Sequence, residues 1–136
     1  LGLGFALGAQ AQDKFPSKSI ELLVPYQPGG GTDGLARAFA DASRKHIDQS
    51  IVVVNRPGAG GAIGWQEVIN ARPDGYKLAV LTVELLTLPH LGLAKFKYDD
   101  FQPIAQLNAD PAAVTVKADA PWNTIEEFLA DAKKKP

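Results

Sequence analysis

A glycine-rich turn between an apolar strand and a helical pattern is the part of this sequence best suited to chemistry. The segment runs Val24-Pro25-Tyr26-Gln27-Pro28-Gly29-Gly30-Gly31-Thr32-Asp33. Three consecutive glycines let the backbone turn sharply and approach a ligand closely. The first N–H groups of a helix have no partner within it and lie at the positive end of its dipole. A strand, a glycine turn and a helix N-terminus in this order predict an anion-binding site.

The predicted ligand contacts in this loop are backbone N–H groups and one hydroxyl. The N–H groups of Gly29 to Asp33 and the hydroxyl of Thr32 are suited to hold a carboxylate or a phosphate. The alternative is a simple tight turn in which Thr32 or Asp33 caps the helix. No Gly-Lys-Ser/Thr ends the run, so the loop is not a Walker-type phosphate loop.

A second glycine loop gives little support to an enzyme. The run Gly58-Ala59-Gly60-Gly61-Ala62-Ile63-Gly64 approaches the dinucleotide fingerprint G-x-G-x-x-G, but Ile63 occupies the position of the last glycine. Glycines for close packing and for an exposed, ligand-facing backbone are the better interpretation, and a nucleotide-using enzyme is disfavoured. His46 and His90 have no partner at metal-ligand spacing, and no serine lies in a G-x-S-x-G elbow. The sequence therefore predicts no catalytic set, no metal site and no cofactor.

Composition excludes further classes of protein. The net charge of the 136 residues is −1, so nothing predicts a nucleic-acid-binding surface. Without cysteine, the chain has no disulfide framework, thiolate metal site or cysteine nucleophile. The first eleven residues are small and apolar and end in Ala9-Gln10-Ala11, which is typical of the end of a secretory signal peptide. We expect residues 1–11 to be the remnant of such a signal in an exported protein.

Alternating apolar runs and helical patterns predict an α/β fold with parallel strands. The predicted strands are residues 20–24, 51–54, 76–82, 103–107 and 112–117, and the predicted helices are 33–46, 62–71 and about 123–134. The stretch 84–97, which contains Pro89, is expected to be irregular. Ligands of parallel sheets sit beyond the carboxyl ends of the strands, where the loops 25–33, 55–61 and 83–90 are expected to gather.

Four segments, in this order, resemble one protein family. They are Phe15-Pro16-Ser17-Lys18-Ser19-Ile20, the glycine run 24–33, Val54-Asn55-Arg56-Pro57-Gly58-Ala59-Gly60-Gly61 and Pro73-Asp74-Gly75-Tyr76. The sequence is similar, from Phe15 to Pro136, to the substrate-binding proteins of tripartite tricarboxylate transporters, also called the Bug or TctC family. The resemblance implies a fold like that of type II periplasmic-binding proteins, with two α/β domains around a cleft, and it implies no enzymatic activity.

The resemblance also implies a division of the chain. Members of the family are longer, so this chain is expected to be a fragment that holds most of the first half of the protein. Residues 12–108 are expected to form the N-terminal part of domain 1. Residues 109–136 are expected to be the crossover and the start of domain 2.

The function implied by the resemblance is that of a periplasmic solute receptor. Such a receptor binds a small organic acid or an amino acid in its cleft and delivers it to the membrane permease subunits of an ion-driven secondary transporter. We expect it to act as a monomer, without nucleic acid. An alternative from another class is a ligand-sensing receptor for a two-component signalling system.

The family's ligand-facing positions fall on the glycine loop and on the loop after the third strand. Carried over to this sequence, they are Tyr26, Pro28, Gly29, Gly30, Gly31, Thr32, Asp33, Thr82 and Glu84. Relatives often carry small hydroxyl residues and an Asn-Pro in the later loop, where this chain continues from Thr82 into Val83 and Glu84. A carboxylate at Glu84 opposes a purely anionic ligand, so we expect a less charged ligand or one that bears an amine. The alternative is that Glu84 is a solvated loop residue.

Overall fold

The computed structural model describes residues 14–111 and 113–134, which fall into two compact units divided between Pro103 and Ile104. The predicted signal-peptide remnant, residues 1–11, lies outside the described residues. The predicted boundary between residues 108 and 109, which refers to the domains of a longer protein, stays a prediction.

Three parallel strands form the sheet of the first unit. In their order across the sheet, they are β2 (Ile51–Asn55), β1 (Ile20–Val24) and β3 (Lys77–Ala79). Leu22 of the central strand lies opposite Val53 on one side and opposite Leu78 on the other. β1 is almost continuously apolar because a central strand covered on both faces buries successive side chains. The predicted α/β fold class is confirmed.

Helices cover both faces of this sheet. The helices of the first unit are α1 (Gly31–Ser43), α2 (Ala62–Ile69) and α3 (Glu84–His90). On one face, Leu22 and Val24 pack with Ala36 of α1. On the other, Leu23 lies so close to Gly64 of α2 that a Cβ atom on the glycine would be 2.8 Å from Leu23 Cδ2. Successive side chains of β1 thus face opposite helices, and Gly64 serves the close packing predicted for the second glycine loop.

The helix α3 corrects the expectation of an irregular stretch from residue 84 onward. Leu85 and Leu88 share one helix face and are buried in a cluster with Trp65 and Phe96. Pro89 is the second-to-last residue of α3, so its missing N–H removes a hydrogen bond only at the helix end. Burial of two leucines therefore outweighs the cost of the proline.

The predicted strands at 103–107 and 112–117 are not strands in the described residues, and Ala112 lies outside them. The prediction rested on apolar residues such as Ile104, Val114 and Val116. A strand requires a hydrogen-bonded neighbour, and the described sheet contains only β1, β2 and β3. The apolar pattern alone was therefore insufficient.

The ends of the other elements differ from the predictions by a few residues. α1 begins two residues earlier and ends three residues earlier than the predicted helix 33–46. β3 is shorter than the predicted strand 76–82. After Val80, whose N–H donates to Leu23 O at 2.9 Å, the chain leaves the sheet. This early exit places residues 82–84 beyond the carboxyl end of the sheet.

In residues 113–134, the helix α4 (Ile125–Ala132) opens with a capping box, as the spacing of Thr124 and Glu127 predicts. Thr124 Oγ1 accepts the N–H of Glu127 at 3.2 Å, and Glu127 Oε2 accepts the N–H of Thr124 at 3.4 Å and that of Asn123 at 2.7 Å. The rings of Trp122 and Phe128 meet edge to face at 5.3 Å. Local contacts thus account for the beginning of this helix.

Candidate ligand-binding groove

An open groove of about 420 Å³ lies beyond the carboxyl ends of β1 and β3. The chain runs from β1 to β2 on one side and then to β3 on the other side of β1. The loops after β1 and β3 therefore diverge, which creates a crevice at the sheet edge. The groove is lined by Tyr26, Gly30, Gly31, Thr32, Asp33, Thr82, Val83 and Glu84. The predicted residues Pro28 and Gly29 belong to the same loop but do not line the groove.

The first turn of α1 presents backbone donors on one side of this groove. The N-cap residue is Gly30 in an extended conformation, and no side chain caps the helix. The alternative in which Thr32 or Asp33 is the cap is therefore wrong. The first intrahelical bond runs from Gly34 N–H to Gly30 O at 2.9 Å. The N–H groups of Gly31 and Thr32 precede it and have no partner within the helix.

Asp33 holds the glycine loop in place. Its side chain is buried, and its Oδ2 accepts hydrogen bonds from Gly29 N–H and from Arg37 Nε, both at 2.9 Å. Its Oδ1 accepts Asn55 Nδ2 at 2.9 Å. These bonds, chiefly that from Arg37, hold the pKa of Asp33 well below its usual range. The negative charge of Asp33 is therefore matched by Arg37 within the protein.

Asp33, Arg37 and Asn55 form a hydrogen-bonded clamp that holds the glycine loop. Neither Arg37 nor Asn55 was predicted as a site residue. Asn55 Nδ2 also donates to Tyr26 O at 3.0 Å, and Arg37 Nη2 donates to Asn55 Oδ1 at 3.1 Å. The spacing of four residues between Asp33 and Arg37 is a sequence signal for an ion pair on a helix. The role of Asn55 follows from its place at the carboxyl end of β2.

Three polar side chains are joined on the other side of the groove. Thr82 Oγ1 donates to Glu84 Oε2 at 2.5 Å. The Tyr26 hydroxyl lies 3.0 Å from the same oxygen and 2.6 Å from Thr82 Oγ1. The hydrogen bond from Thr82 is the main cause that lowers the pKa of Glu84, whereas burial raises the pKa of Tyr26. Glu84 is therefore an ionised residue of α3 with fixed partners, which corrects the alternative of a solvated loop residue.

Neither a metal-binding cluster nor a membrane-spanning helix is found in the part of the chain that the structure describes. No group of three or more His, Cys, Asp or Glu side chains there could hold a metal ion. His46 and His90 are exposed and do not line the groove. No helix among these residues has the length and apolar character needed to cross a membrane.

Known proteins are similar to this chain in sequence and in fold. A family model described as the tripartite tricarboxylate transporter family receptor matches residues 35–136. A protein of Cupriavidus necator, described as a UPF0065 protein in the gbd 5' region, is 39% identical over 140 residues. That alignment covers 100% of this chain and 42% of the relative, so the chain spans less than half of the relative's length.

Two solved structures extend the comparison. The crystal structure of a TctC solute-binding protein from Polaromonas, without ligand, is 63% identical and has a TM-score of 0.72, covering 88% of this chain and 42% of that one. The periplasmic binding protein BugD is 30% identical and has a TM-score of 0.64, covering 89% of this chain and 41% of that one. The chain therefore belongs to the TctC family, the receptors of tripartite tricarboxylate transporters.

Proposed function

We propose that this chain supplies one wall of the ligand site of an extracytoplasmic solute receptor for small organic acids. The observation that carries the proposal is the groove at the carboxyl edge of the sheet, into which the uncapped first turn of α1 faces. Backbone donors at the positive end of a helix dipole favour an anion. Membership of the TctC family supports a carboxylate as that anion.

The proposed receptor binds and releases its ligand without changing it chemically. It closes two α/β domains around the acid in the periplasm and delivers it, as a monomer, to the permease subunits of a tripartite tricarboxylate-type transporter. Residues 12–108 would belong to domain 1, and residues 109–136 would lead into domain 2. Closure around a ligand is the general behaviour of periplasmic receptors and fits an open groove.

The residues of the groove take different parts in this proposal. The N–H groups of Gly31 and Thr32, with the Thr32 hydroxyl, hold a carboxylate of the ligand. Asp33 keeps the glycine loop in the conformation that presents these donors. Tyr26 and Glu84 contact the part of the ligand that lies farther from α1.

The test is a thermal-shift screen of the complete protein against carboxylates, amino acids and aromatic acids. A ligand at about 100 times its Kd adds roughly 2.7 kcal/mol to the free energy of unfolding, which raises Tm by several degrees. The acids that raise Tm would then be titrated into two glycine variants. A Cβ atom at Gly31 or at Gly34 meets nothing within 4 Å, so both variants are expected to fold.

Gly31→Ala adds a methyl group at the groove, whereas Gly34→Ala adds the same group outside the groove lining. We expect Gly31→Ala to weaken acid binding about tenfold or more, because it obstructs the approach of the carboxylate to the helix N-terminus. Gly34→Ala is expected to keep the wild-type affinity. Equal affinity in both variants, or a well-folded protein that binds no acid, would contradict the proposal.

A further inference from the structure

We propose that Glu84 selects ligands that carry a protonated amine in addition to a carboxylate, and so sets the substrate class of this groove. The inference rests on the proposed function, because it assumes that the ligand's carboxylate binds at the first turn of α1. It depends on the contacts and the charge of Glu84.

The hydroxyl protons on the Glu84 side of the groove are already in use. Thr82 and Tyr26 have one hydroxyl proton each. The proton of Thr82 goes to Glu84 Oε2, and that of Tyr26 goes either to the same oxygen or to Thr82 Oγ1. Neither proton is left for a ligand carboxylate. The three side chains therefore offer a ligand lone pairs and negative charge.

The charge of Glu84 is not matched by a cation of the described chain. Asp33, the other acid at the groove, has Arg37 Nε at 2.9 Å. By contrast, the ion pairs among residues 14–111 and 113–134 do not include Glu84. The two hydroxyl contacts of Glu84 are made by Oε2, so Oε1 receives no side-chain hydrogen bond from the described residues. The backbone N–H of Glu84 itself also lowers the pKa of this carboxyl group. A carboxylate without a cationic partner among the described residues therefore remains in the groove.

This arrangement discriminates between two kinds of acid. A second carboxylate near Glu84 would meet a like charge and no hydroxyl donor, which disfavours di- and tricarboxylates. An ammonium group would meet an opposite charge and several acceptors. An aminocarboxylate satisfies both sides of the groove, with its carboxylate at α1 and its ammonium group at Glu84.

The experiment compares acids that differ by one ammonium group, using titration calorimetry on the complete protein. The pairs are L-aspartate with succinate and 4-aminobutyrate with butyrate. We expect the amino member of at least one pair to bind about tenfold more tightly, which is the size of effect that one close charge produces. This comparison needs no variant.

Two variants then assign the preference to Glu84. Glu84→Gln keeps an acceptor oxygen for Thr82 and Tyr26 but removes the charge, so we expect the preference to fall about fivefold or more, mainly through weaker binding of the amino acid. Glu126→Gln, an exposed acid of α4, makes the same change in net charge and is expected to leave the preference intact.

The outcomes separate the two proposals. If the members of both pairs bind equally, or if the preference survives Glu84→Gln, the inference is overturned and the receptor for organic acids stands. If neither these four acids nor any acid of the wider screen binds the folded protein, the proposed function fails and the inference fails with it.

Discussion

Asp33 supports the proposed anion site although it is itself an anion. A carboxylate in the first turn of α1 interacts favourably with the positive end of the helix dipole, and Arg37 matches its charge. Its hydrogen bond to Gly29 N–H fixes the loop that leads to Gly31. The negative charge that borders the groove thus holds the backbone donors in position.

Replacing Asp33 tests this role. In Asp33→Asn, one side-chain oxygen becomes an NH₂ group, so either Asn55 loses its acceptor at Oδ1 or both Gly29 and Arg37 lose theirs at Oδ2. We expect Tm to fall by several degrees and acid affinity to weaken, since the buried side chain loses its charge opposite Arg37 and part of its hydrogen bonding. The measurement is a melting curve of the complete protein with and without ligand.

Asp41→Asn is the matched control on the same helix. Asp41 pairs with Arg44 at 3.7 Å, but its side chain is 81% exposed, so its loss is expected to change neither Tm nor affinity appreciably. Similar effects of the two substitutions on Tm and affinity would contradict the proposed role of Asp33 in holding the glycine loop.

The types of these residues were predictable, but their partners were only partly so. The glycine run and the spacing of Asp33 and Arg37 are local features of the sequence. The contact with Asn55 joins residues 22 positions apart and exists only because β1 and β2 pair in parallel. Likewise, the contact between Glu84 and Tyr26 joins residues 58 positions apart, and nothing local in the sequence indicates it.

Among the elements, α2 lies against β1 through a glycine. A Cβ atom at Gly64 would be 2.8 Å from Leu23 Cδ2 and 2.9 Å from Arg56 O, and the backbone oxygen has little freedom to move. Leu23 is fully buried in the central strand. The sheet and α2 can therefore approach this closely only at a residue without a side chain.

Gly64→Ala is expected to destabilise the complete protein by about 1–3 kcal/mol, because it overpacks a filled core. Gly34→Ala, an exposed position in α1 with open space around the added methyl, is expected to stabilise it by about 0.5–1 kcal/mol. Urea unfolding measures both. If Gly64→Ala left the free energy of unfolding unchanged, α2 would be able to shift away from β1 at little energetic cost.

The sequence predicted elements that have a strong local pattern. It failed where contacts between elements determine the secondary structure. β1 was predicted with its observed bounds from its apolar run. α3 was missed because Pro89 argued against a helix, while the burial of Leu85 and Leu88 beside Trp65 is visible only in the fold.

Across the whole molecule, several carboxyl groups bind protons more weakly in the folded state than in the unfolded chain. The pKa is lowered for Asp33 mainly by Arg37, for Glu67 mainly by Lys77 and for Glu84 mainly by Thr82. Such groups contribute their full stabilisation above the ordinary carboxyl pKa of about 4. That contribution is lost progressively as the pH falls below this value.

We therefore expect Tm to vary little between about pH 7 and pH 5 and to fall below about pH 4.5. The pKa of Asp33 is the most strongly lowered, so the curve of Asp33→Asn is expected to start lower and to fall less steeply. Melting curves from acid to neutral pH check this. Parallel curves for the two proteins would show that Asp33 does not contribute to acid sensitivity.

The position of the groove was predictable at this scale, because loops at the carboxyl ends of parallel strands meet at one edge. The placement of β1 between β2 and β3 was not, since strand order depends on which pairings the whole chain favours. That order decides which two loops form the groove.

The hydrogen bond between Gly29 and Asp33 gives the groove its own spectroscopic reporter. Gly29 is exposed, yet its N–H is held by a buried, ionised carboxylate, so its amide proton is expected to resonate downfield and to exchange slowly with solvent. Gly29 adjoins the groove without lining it. In a sample labelled with ¹⁵N-glycine, this one amide signal can therefore follow the arrival of an acid at α1 without being covered by it.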